Sequence, residues 1–107
     1  MLGARHLERY ADVLIWGLTT ARVGRFKKGD IVSIRYDIAA RPLAEILYAR
    51  LLDMGLNPLQ RASLSPRMEH DFYSRSNSTQ LTFLAPGDEE LFASLNGSIS
   101  LRAPDSI

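Results

Sequence analysis

Cysteine is absent from the chain, which excludes disulfides, thiolate metal sites and cysteine nucleophiles and fits a reducing compartment. Histidine is nearly as scarce. His6 and His70 are the only two, and neither has the paired spacing that sets two metal ligands on one helical face. Glu69, His70 and Asp71 are consecutive; on a helix such neighbours splay by about 100° per residue and do not converge on one ion. No apolar run approaches the eighteen or so residues of a membrane span. Glu8 and Asp12 stand among the N-terminal arginines, unlike a transit or signal peptide, so the cytoplasm is the expected compartment. There is no excess of charge of one sign either. Thirteen Lys and Arg against twelve Asp and Glu give a net charge of +1, so no global field attracts nucleic acid or an anionic membrane. Finally, no glycine-rich phosphate loop and no G-x-S-x-G elbow occur, and the serines near Ser65 and Ser76 stand where caps and turns want hydroxyls.

What is present is an ordinary globular composition, 46% hydrophobic and 23% charged over 107 residues, enough for one domain with one core. Leu7, Tyr10, Ala11, Leu14 and Leu18 recur at helical spacing, with Trp16 expected in core or interface packing. A polar connection carrying Arg22, Arg25, Lys27 and Lys28 leads to the turn signal Lys28-Gly29-Asp30. Ile31 to Tyr36, rich in β-branched and aromatic residues, is the expected first strand. Pro42 at the first helical position opens a second helix whose stripe, Leu43, Ile46, Leu47, Leu51 and Met54, stops at Gly55. Leu56 to Leu64 is a second strand, which Pro58 marks as an edge.

Ser65-Pro66 then starts a third helix running to about Arg75, and Asn77 with Gln80 has capping-box spacing for a short helix through Phe83. Asp88, Glu89 and Glu90 suit the N-terminus of a further helix ending near Asn96-Gly97, and Ser98 to Ala103 alternates as a third strand. The pattern predicts an α/β fold: a three-layer domain with a small, mostly parallel sheet of order 2-1-3 flanked by helices, Rossmann-like but without the glycine-rich loop. In that order a crevice opens at the carboxyl ends of strands one and three, near Tyr36, Asp37 and Ala103, where Asp37 and Arg41 would face a ligand. The competing structural reading has Asp37 capping the next helix with Arg41 paired to it.

The segments LERYADVLIWGL, KKGDIVSIRYDIAARPLAEILYARLLDMGLNPLQRASL, FYSRSNSTQLTFLAPGDEELFASL and NGSISLRAP together resemble the N-terminal domain of the thermophilic-type metalloaminopeptidases, the aminopeptidase T and aminopeptidase S family. The resemblance covers nearly the whole chain and rests on the order and spacing of these segments rather than on a catalytic motif. It implies a parent enzyme of two domains, usually a dimer, that removes N-terminal residues such as leucine from peptides. In such an enzyme two divalent ions of the zinc, cobalt or manganese class sit in a second, catalytic domain. No position here matches those metal ligands, so no catalytic or metal-binding residue is carried over.

On this basis residues 1–107 are expected to form the N-terminal α/β domain, inactive alone, whose partners are its own catalytic domain and a second copy. A three-stranded sheet followed by no closing helix points the same way, since an edge and a face would otherwise lack cover. The alternative is a free-standing α/β module that binds a small ligand beside Asp37 and Arg41.

Overall fold

A computed structural model describes residues 4–21 and 24–102. Arg22 of the basic connection and Ala103 of the predicted third strand lie outside the described residues. The elements are α1 (Ala4–Thr20), β1 (Ile31–Tyr36), a 3-10 turn (Ile38–Ala40), α2 (Arg41–Asp53), β2 (Asn57–Ala62), α3 (Pro66–Arg75), α4 (Ser78–Leu81), α5 (Asp88–Ser94) and β3 (Gly97–Leu101). β1 lies between β2 and β3 and pairs parallel with both. The α/β class and the strand order therefore agree with the sequence pattern.

The core occupies one face of the sheet. Val32 and Ile34 of β1 are fully buried and Ile99 and Leu101 of β3 nearly so, and over them lie Leu43, Ala44, Leu47 and Leu51 of α2 and Ala11 of α1. Each fully buried aliphatic side chain of this set contributes about 1.5–3 kcal/mol. Partly buried Leu7, Leu14, Ile15 and Leu18 complete the inner stripe of α1, and Arg50 of α2 hydrogen-bonds Asp12 of α1 to tie the two helices. Trp16, expected in core or interface packing, is outside the core, 67% exposed on the outer side of α1.

Local chemistry sets the ends of these elements. Pro42 stands at the second helical position rather than the first; its missing N–H costs nothing there, because first-turn N–H groups have no intrahelical acceptor. At the other end Gly55 adopts φ +80°. Its N–H donates to Leu52 O (2.9 Å), and the N–H of Leu56 donates to Leu51 O (3.0 Å). That is a Schellman closure, with buried Leu51 and Leu56 as its hydrophobic pair. Met54, expected to extend the apolar stripe, is the C-cap and faces outward.

β2 is an edge strand. The N–H groups of Asn57 and Ser63 donate to Asp30 O, just before β1, and to Tyr36 O at its end, both at 2.8 Å. Alternation therefore turns the nitrogen of Pro58 away from the ladder, where a missing donor is tolerated. Gly97 opens β3 on the core face. A Cβ there would lie 3.1 Å from both Leu18 Cδ1 and Phe26 Cζ, so glycine lets α1 and the Phe26 ring close onto the strand.

The connection from β2 to β3 runs back past β1, and right-handed crossovers then place α3–α5 on the face opposite α2. Their caps are well formed. Ser65 Oγ accepts from Met68 N at 3.1 Å, and Asn77 and Gln80 make a reciprocal capping box at 2.8 and 3.0 Å. Yet α3, α4 and α5 contain no buried residue. α4 stops at Leu81, short of Phe83, with Thr82 as its C-cap.

Candidate functional site

The second face of the sheet is unusual for a parallel sheet, which is normally apolar on both sides. Alternation along β1 points Ser33 and Arg35 away from the core. The parallel register sets Leu59 and Arg61 of β2 beside them on one side and Ser98 and Ser100 of β3 on the other. Arg35 thus stands directly between Arg61 and Ser100, all three exposed. Adjacent strands are about 4.8 Å apart, and like charges facing one another at that spacing are destabilising. Arg61 has a counter-charge in Asp88, at the start of α5, at 3.8 Å. Arg35 makes no ion pair with any described residue.

Between this face and α3 runs an open groove of about 1270 Å³. Arg35, Arg61, Ser100 and Arg102 form its sheet side, Asp37 stands at the strand ends, and Glu69, His70, Phe72 and Tyr73 come from α3. Phe72 and Tyr73 meet edge to face with ring centroids 5.2 Å apart. Groove and strand ends coincide, as expected where ligands bind in open α/β sheets.

The three residues expected at the crevice separate in space. Asp37 lines the groove; its N–H donates to Leu101 O at 3.0 Å and its carbonyl accepts from Ala40 N at 2.8 Å. It precedes the 3-10 turn without a side-chain capping bond. Arg41 lies outside the groove lining and pairs along its own helix with Glu45 (3.6 Å), both side chains well exposed. Tyr36 points to the core side, where its hydroxyl donates to Gln60 Oε1 at 2.8 Å. No sequence motif marks Arg35, Arg61 and Arg102 as a set. Alternation within Ile31–Tyr36 marks Arg35 as outward-facing, but only the strand register brings Arg61 beside it.

No group of three His, Cys, Asp or Glu side chains among the described residues is placed to hold a metal ion. The sheet side of the groove presents guanidinium and hydroxyl donors, with the carboxylates of Asp37 and Glu69 also in its lining. A second hollow, lined by Val13, Trp16, Phe26 and the β3 backbone around Gly97, is mainly apolar. No helix among the described residues is long and apolar enough to cross a membrane.

A family model described as thermophilic metalloprotease (M29) matches residues 4–107. No curated protein and no solved structure gives a significant match.

Proposed function

Because the chain belongs to the thermophilic metalloprotease family M29, we propose that it is the N-terminal α/β domain of a metal-dependent aminopeptidase that releases N-terminal residues such as leucine from peptides. The observation that carries this reading is the family match across residues 4–107, over described residues that contain a folded scaffold and no convergent metal-ligand group. The two divalent ions that the family implies do not fit the side chains described here, and they are assigned to a separate catalytic domain of the parent enzyme.

In this reading the domain is a support that shapes one side of the substrate entrance and fixes the catalytic domain's orientation, in the cytoplasm. Large apolar side chains left exposed along the α3–α5 side, Leu64, Met68, Leu81, Phe83 and Phe92, support a covering domain there, since an extended apolar surface commonly marks a partner contact. The outward row Tyr10, Val13 and Trp16 on α1 supports contact with a second copy.

The test is a leucyl p-nitroanilide assay of the 107-residue chain with Co²⁺, Zn²⁺ or Mn²⁺, beside a reading of the coding sequence downstream of Ile107. No metal-dependent turnover by the chain and a continuing reading frame are expected. Release of p-nitroaniline by the chain itself would overturn the division of labour. A free-standing small-ligand module is the second reading, favoured by the position of the groove at the strand ends. It predicts binding in a calorimetric panel of nucleotides and phosphates, together with a reading frame that stops.

A further inference from the structure

We infer that the groove between the sheet and α3 is a binding site for the carboxylate of a peptide, with Arg35 as its principal ligand. The inference stands on the geometry of the groove and not on the assignment to an aminopeptidase. Three observations meet at Arg35. Its guanidinium is exposed in a groove at the carboxyl ends of parallel strands, the place where open α/β sheets take ligands. It stands in register with Arg61 on one side and Ser100 on the other, so two forked donors and a hydroxyl face the same space. It makes no ion pair within 4 Å among the described residues, whereas Arg61 already has Asp88 at 3.8 Å. Folding therefore sets two like charges side by side and leaves one of them without a direct ion pair, a cost that a bound anion would relieve.

The class of anion follows from the remaining lining. A planar guanidinium matches a carboxylate with two parallel hydrogen bonds. Asp37 and Glu69 also line the groove, and their negative charges oppose a phosphate dianion more strongly than a monoanion. The backbone supplies no glycine nest of the kind that cradles phosphate. A volume of about 1270 Å³ exceeds the roughly 300–1,000 Å³ of a small-molecule pocket, and the rings of Phe72 and Tyr73 give apolar side chains something to lie against. An extended ligand ending in, or carrying, a carboxylate suits all of these features together.

The experiment uses the full chain in buffer freed of metal ions and of carboxylate chelators, titrated calorimetrically with trileucine as the free acid, with trileucine amide and with inorganic phosphate. The free acid should bind about tenfold or more tightly than the amide, the ratio expected for charge-assisted hydrogen bonds. Arg35→Gln should abolish that preference, and Arg41→Gln, outside the groove, should leave it intact. Amide-proton shifts mapped by NMR on the unmodified chain should centre on Arg35 and Ser100, which tests the site even if Arg35→Gln does not fold. Equal binding of acid and amide, tighter binding of phosphate than of the acid, or shifts centred elsewhere would overturn the assignment.

Discussion

The two faces of one small sheet are built to different rules. Toward α1 and α2 the strands present Val32, Ile34, Ile99 and Leu101, each fully or almost fully buried. Toward α3–α5 they present Ser33, Arg35, Arg61, Ser98 and Ser100, and the helices opposite bury nothing. The Cα radius of gyration, 15.8 Å, exceeds the roughly 13 Å of a compact domain this size, in keeping with a second layer that stands off the sheet. Stability should therefore reside in the first layer and recognition in the second.

The largest effect expected from this contrast is in the core. Leu47→Ala removes a side chain with no solvent exposure and should lower the unfolding free energy by about 2–5 kcal/mol. Phe83→Ala, at a position 69% exposed, should change it by no more than about 0.5 kcal/mol. Urea melts of the two variants compare the layers directly, and similar losses would erase the distinction. Next comes Gly97→Ala. Its new methyl would press on Leu18 and Phe26 at 3.1 Å and should cost about 1–3 kcal/mol by overpacking, read from the shift in urea midpoint. The smallest effect is at Ser65→Ala, which deletes the cap of α3. A cap is worth about 1 kcal/mol to its helix. Because α3 adds little to the core, hydrogen exchange of its amides should quicken while the global urea midpoint barely moves.

The same contrast explains what could be read without coordinates. Signals that act within a few residues were legible: the Lys28-Gly29-Asp30 turn, the Gly55 stop, the Ser65 cap and the Asn77–Gln80 box all appear where the pattern put them. Pairings that depend on distance along the chain were not. Arg35 and Arg61 become neighbours only through the register of β1 with β2, which no local motif encodes. Of the two places expected for Trp16, core or interface, the core is excluded: the burying stripe of α1 runs through Leu7, Ala11, Leu14, Ile15 and Leu18, which leaves the indole outside.

Pro58 gives the sheet a direction of growth. On the β2 side the outward margin lacks one donor, so an incoming strand would find an interrupted ladder there. β3 contains no proline, and among the described residues β1 is its only strand partner. Among the described residues the fold thus has one guarded margin and one open one. A strand joining the sheet would be admitted beside β3, against the apolar hollow formed with Trp16 and Phe26.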